Sequence, residues 1–183
     1  MLKKNKIYRM ILAAMFLALA LVLPFLTGEI PQIGKMLCPM HIPVLLCGFF
    51  CGPWYALFVG FIAPLLRLAL FGVPVFIPTG AGMCFELATY GFAAGVLYRL
   101  FPRKKVYIYA ALIGAMLCGR IVWALARLAL YGLLGSEFSW AIFVSGGFVK
   151  AIPGIIVQLV LIPILVMVLE RSAGNQPTPG SID

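Results

Sequence analysis

The sequence predicts an all-α integral membrane bundle of six transmembrane helices with both termini cytoplasmic. Three observations lead there. Of 183 residues, 64% are apolar or aromatic and only 10% are charged, against about 45–50% and about 25% in soluble domains. The apolar residues fall in long runs broken by some of the 13 prolines and 19 glycines, as suits spanning helices with breaks. Finally, 14 Lys and Arg against 5 Asp and Glu are distributed between the two sides of those runs in a strongly unequal way. A spanning helix takes roughly 20 residues, so six fill the chain as one domain, residues 1–171. Almost nothing remains for a soluble catalytic module.

The elements follow in order. The first apolar run is Ile7–Leu23, read as a retained span because Pro24-Phe25-Leu26-Thr27-Gly28 resembles a helix end and no small-residue cleavage site follows. A long polar stretch from Pro24 to His41 precedes a short second segment, Ile42–Phe50, which meets Cys51-Gly52-Pro53 before the third, Trp54–Phe71. Val73-Pro74-Val75-Phe76-Ile77-Pro78 is expected to be extended, since each proline bars its predecessor from helical geometry. The fourth segment is Gly80–Leu100, stopped by Pro102-Arg103-Lys104-Lys105; the fifth is Val106–Tyr131 and the sixth Ala141–Leu169. Residues 172–183, rich in Pro, Gly and small polar residues, read as a disordered cytoplasmic tail.

Charge placement orients this arrangement. With the N-terminus inside, the cytoplasmic side holds Lys3, Lys4, Lys6, Arg9, Arg99, Arg103, Lys104, Lys105 and Arg171, and the outside holds Lys35 alone. Basic residues favour cytoplasmic loops, and this bias requires an even number of spans. The net charge of +9 is therefore mostly an orientation signal, and no nucleic-acid partner is expected.

Four cations and one acid remain inside the runs: Arg67, Arg120, Arg127, Lys150 and Glu86. A charge at a helix centre costs about 2.5–3.5 kcal/mol on insertion scales, so five of them call for a cavity, for partners, or for both. All fall in the outer half of their spans and can share one outward-facing pocket. Arg120, Trp123, Arg127 and Tyr131 follow i, i+3, i+7, i+11, which keeps them on one helix face. Alternating cations and aromatics suit an anionic or planar polar ligand. Glu86 and Tyr90, at i and i+4, form a smaller stripe on the fourth segment. A structural salt bridge between Glu86 and one arginine is the plainer reading of any single pair. One acid does not neutralise four cations, however, and the surplus points to an acidic ligand.

Other chemistries find little support. The five cysteines form no C-x-x-C pair and read as small apolar helix residues. A lone histidine, His41, excludes a multi-histidine metal site and reads as a hinge between loop and helix. Gly28 to Met36 imitates a phosphate-binding loop, but five residues separate its glycines and Met36 stands where Ser or Thr belongs. ATP binding by this chain is rejected, and no cofactor or metal is expected. Ala14-x-x-x-Ala18, Gly48-x-x-x-Gly52 and Gly91-x-x-x-Gly95 are small-residue patterns that let helices approach closely.

The basic N-terminus, Ala14-Met15-Phe16-Leu17-Ala18, the long first loop, and the run Pro39-Met40-His41-Ile42-Pro43-Val44-Leu45-Leu46-Cys47-Gly48-Phe49 followed by Gly52-Pro53-Trp54-Tyr55-Ala56-Leu57-Phe58-Val59-Gly60 together resemble one family. It is the substrate-binding S components of energy-coupling factor (ECF) vitamin transporters, and the likeness covers roughly residues 7–170. The resemblance implies a subunit of the prokaryotic plasma membrane that captures a vitamin or related micronutrient from outside. It implies delivery through a transmembrane coupling subunit and two cytoplasmic ATPases, with the alanine face of the first helix, Ala14 and Ala18, docking on the coupling subunit. It also implies substrate held between the first outer loop and the outer halves of helices four to six. Glu86, Tyr90, Arg120, Trp123, Arg127 and Lys150 lie there, with Arg67 a less central member. Met40-His41-Ile42 is similar to the N-terminus of nickel and cobalt members, but here it is internal and Val44 stands where an acid belongs, so a metal substrate is not expected. Surplus cations suit pantothenate, a folate or another carboxylate better than neutral riboflavin. The competing classes are a small integral-membrane enzyme, with only Glu86 and His41 as acid–base candidates, and an ATP-independent facilitator.

Overall fold

The computed structural model describes residues 6–26, 39–72, 76–102, 105–134 and 152–174. Among them are six α-helices and no strand: α1 (Lys6–Leu26), α2 (His41–Phe50), α3 (Pro53–Phe71), α4 (Ala81–Leu100), α5 (Lys105–Leu134) and α6 (Ile152–Gly174). Four of them, α1, α3, α5 and α6, are long and apolar enough to cross a membrane. α2 has ten residues, about 15 Å of helix. α4 has twenty but carries Glu86 and a row of small residues in place of a continuous apolar surface.

The ends of the elements follow local chemistry. α1 continues through Pro24 to Leu26, slightly beyond the expected stop at Leu23. Gly52, with φ 106° and ψ 174°, separates α2 from α3, and Pro53 opens α3 where its missing N–H costs nothing. Gly52 is also where the Arg99 side chain crosses, so any Cβ there would collide with the guanidinium. α3 closes on Gly72 in the left-handed region, its N–H donating to the Leu68 carbonyl at 2.8 Å. Of the loop expected to be extended, 73–75 lie outside the described residues. Phe76–Gly80 forms a wide helical turn broken at Ile77, whose φ −111° and ψ 130° are those of a residue before proline. Phe101 is likewise extended before Pro102, which ends α4. α6 runs to Gly174, three residues into the expected tail.

α4 is the hub, packing on α5, α3 and α2, and its small residues set the register. A Cβ on Gly95 would lie 2.6 Å from the Pro53 nitrogen, one on Gly91 2.7 Å from the Ala56 carbonyl, and one on Gly60 against the Leu87 carbonyl. Each step is four residues on both helices and runs in opposite directions, so α3 and α4 are antiparallel at backbone contact. α2 lies parallel to α4, pairing Gly48 with Gly91 and Gly95 and Phe49 with Tyr98. α5 is antiparallel to α4, with Gly114 at Leu97 and Gly119 under the Tyr90 ring. Small residues permit this approach, and dispersion from close contact replaces the hydrophobic drive that lipid does not supply. The chain thus alternates direction from α1 to α5. One end of the bundle gathers Lys6, Arg9, Arg99 and Lys105; the other gathers the starts of α2 and α4 and the ends of α1, α3 and α5.

The exterior is apolar. On α6, Ile152, Ile156, Val160, Ile164 and Val168 form an exposed stripe, while Gly154, Gln158, Ile162 and Val166 are buried. α1 and α5 show similar exposed rows, such as Ile7, Ile11 and Met15, and Ile113, Leu117 and Ile121. Apolar surface on this scale is far beyond what a soluble monomer carries and is what a lipid-facing shell requires. The protein is a multi-pass membrane protein.

Candidate functional site

The buried charged and polar side chains gather at the end of the bundle opposite the basic one. The antiparallel α4–α5 register carries Glu86 to Arg120, whose Nη1 lies 3.1 Å from Glu86 Oε1. Gly119 makes this possible: with no side chain there, the Tyr90 ring lies flat on α5 and the next residue, Arg120, faces α4. Glu86 is buried, and Arg120 is almost so. Losing one partner of such a pair costs about 3–5 kcal/mol, because the other charge remains buried.

Along α5 the stripe predicted by spacing is continuous. The Arg120 guanidinium stands 5.9 Å from the Trp123 ring centre, and that of Arg127 stands 5.1 Å from Trp123 and 6.0 Å from Tyr131. Gly82, in the first turn of α4, borders both Arg127 and Trp123. Cation–π contacts of this kind contribute about 0.5–2 kcal/mol each. They hold Arg127 in place, and no acid pairs with it among the described residues. The separation of Arg120 and Arg127 by seven residues is about 10 Å along the axis, so the site has a neutralised floor at Glu86–Arg120 and a cationic mouth at Arg127.

α2 contributes a residue that sequence reasoning assigned only to a hinge. His41 does begin its helix, but its side chain is buried. Its Nε2 is 3.8 Å from Glu86 Oε1, and its ring meets Tyr90 edge-on at 5.2 Å. Neither ring nitrogen has a hydrogen-bond partner among the described residues, and the same holds for Glu86 Oε1 and for Nε of Arg120 and Arg127. Buried polar atoms are normally paired, and each that is not costs about 1–3 kcal/mol. Unpaired atoms concentrated on contacting residues of three helices describe a place where a guest supplies the missing bonds. Gln158, buried on α6 with an unpartnered Oε1, is a further polar residue that periodicity did not single out; its helix packs on α2 and α5.

Of the other expected site residues, Arg67 stands elsewhere. Its guanidinium is 5.8 Å from the Phe25 ring centre, and Phe25 packs edge-on against Phe71 at 4.8 Å, so this arginine belongs to the α1–α3 corner. Lys150 lies outside the described residues. No group of three or more His, Cys, Asp or Glu is placed to hold a metal ion among the described residues.

No curated protein and no solved structure matches the chain. The profile of the ECF transporter substrate-specific component family matches residues 8–166, which takes in α1 to α5 and most of α6. A bundle of lipid-facing helices enclosing a cationic, aromatic-lined site accords with that match, and the chain belongs to the family of substrate-specific components of ECF transporters.

Proposed function

We propose that this protein captures an anionic vitamin or related micronutrient, such as pantothenate or a folate, from outside the cell. In this reading its cargo passes inward through an ATP-driven module made of a transmembrane coupling subunit and two cytoplasmic ATPases. The chain itself is not an enzyme and hydrolyses no ATP. The observation that carries the reading is the surplus cation: Glu86 neutralises Arg120, while Arg127 is fixed between Trp123 and Tyr131 with no acid among the described residues. Lys150 and Arg67 add positive charge to the same half of their segments. The alternation of α1 to α5 puts the basic residues Lys6, Arg9, Arg99 and Lys105 at the opposite end, which by the basic-loop rule is cytoplasmic. All six helices then cross the plasma membrane, with both termini inside and the site open outward.

The docking face for the coupling subunit is the outer surface of α1. Ala14 and Ala18 are exposed there, while Ala13, Phe16 and Ala20 pack inward. Ala14 also lines a shallow apolar groove shared with Tyr55 and Phe58 of α3. A leucine at Ala14 and Ala18 is expected to abolish co-purification with the partner module and to leave substrate affinity unchanged.

Thermal unfolding of the detergent-purified chain with pantothenate, folate and riboflavin tests the proposal. Stabilisation by an acid and none by riboflavin is the expected outcome. Stabilisation by riboflavin alone would remove the case for an anionic cargo.

A further inference from the structure

The unpaired atoms of the site are not all cationic, and that limits what fits. At the mouth, Arg127 offers a charged donor flanked by two aromatic rings. At the floor the charges of Glu86 and Arg120 cancel, yet bonds remain unmade: Glu86 Oε1 accepts, Arg120 Nε donates, and neutral His41 has one donor and one acceptor nitrogen. A second carboxylate placed there would meet Glu86. An apolar group would leave all four atoms unsatisfied. A neutral group that donates and accepts from adjacent atoms, as an amide, urea or lactam does, satisfies them together.

We propose that the substrate is bipolar, with a carboxylate held at Arg127 and, about two helix turns deeper, roughly 10 Å along α5, a neutral amide-like group held by His41, Glu86 and Arg120. His41 is then a substrate-contacting residue that sets specificity, a role distinct from opening α2. This rests on the capture reading above and narrows it: an acid lacking the remote group has nothing to offer the floor.

Isothermal titration of the detergent-purified chain tests this with five probes. Pantothenate, biotin and folate carry a carboxylate with a remote amide, ureido or lactam group; pentanoate and nicotinate carry a carboxylate without one. At least one of the first three is expected to bind 100-fold or more tightly than both simple acids. His41→Ala is expected to weaken that ligand by tenfold or more while leaving the weak binding of the simple acids unchanged, and Arg127→Gln to weaken all of them. His41→Gln keeps a polar side chain and serves should the alanine variant misfold, and the comparison among ligands needs no variant. Nicotinate or pentanoate binding as tightly as the bipolar acids, or folded His41 variants binding them like wild type, would overturn the bipolar site while leaving anion capture intact. Binding by none of the five would remove the anionic-capture reading and this inference together.

Discussion

The two halves of α4 face the same neighbours with opposite chemistry. Toward its C-terminus, Gly91 and Gly95 bring α4 into backbone contact with Ala56 and Pro53 of α3 and with Gly48 of α2. No space is left there, and Leu87 and Ala94 are buried among the small residues. Toward its N-terminus the same helix carries Glu86 and Tyr90, meets His41 and Arg120, and borders polar atoms that have no partner among the described residues. The small-residue half fixes the relative position of α2, α3 and α4. The polar half depends on that fixed geometry, because an ion pair at 3.1 Å between two helices holds only if the helices do not shift. Rigidity at one end supports recognition at the other.

The comparison breaks most completely at Gly91. A leucine there would drive its side chain into the Ala56 carbonyl and Cβ, and backbone does not move aside as a flexible side chain does. Gly91→Leu is expected to give no monodisperse folded chain by size-exclusion chromatography, whereas Gly72→Ala, at a position with nothing nearby but a left-handed backbone, should lose only about 1 kcal/mol. Next comes Arg120→Ala. It removes charge-assisted contacts worth about 1.5–3 kcal/mol each and strands Glu86, so affinity for the cargo should fall by about 100-fold or more and the melting temperature should also drop. Arg127→Gln separates these effects: with no acid left behind, it should weaken binding by about tenfold, one charge-assisted bond, at nearly constant melting temperature. Arg99→Ala is the smallest. Arg99 lies at the basic end against Gly52, and its loss should change affinity less than about twofold, within the scatter of surface substitutions.

Much of this was legible in the residues. Apolar run length located the helices, and the i, i+3, i+7, i+11 spacing put Arg120, Trp123, Arg127 and Tyr131 on one face, where the structure brings them into contact. The spacing did not say which helix that face meets. Periodicity is a property of one helix, whereas the Glu86–Arg120 pair depends on the α4–α5 register, set by Gly119 under Tyr90. His41 was read as a hinge because a single histidine at a helix start has no partner in its own segment; its neighbours Glu86 and Tyr90 lie on α4. Arg67 shows the converse. Its depth matched the other cations, but depth gives no azimuth, and α3 turns it toward Phe25 of α1. The sixth helix was expected from Ala141; its described part begins at Ile152, and Lys150 lies before it, outside the described residues.

The central claim is that the polar half of the bundle holds an acidic small molecule. Native mass spectrometry of the detergent-purified chain, expressed in rich medium and released gently, tests it most directly when wild type, Arg127→Gln and Arg99→Ala are run side by side. The account predicts one bound mass, that of a carboxylic acid, on wild type and Arg99→Ala, and an empty Arg127→Gln chain. A neutral ligand, or the same acid retained in full by Arg127→Gln, would contradict it.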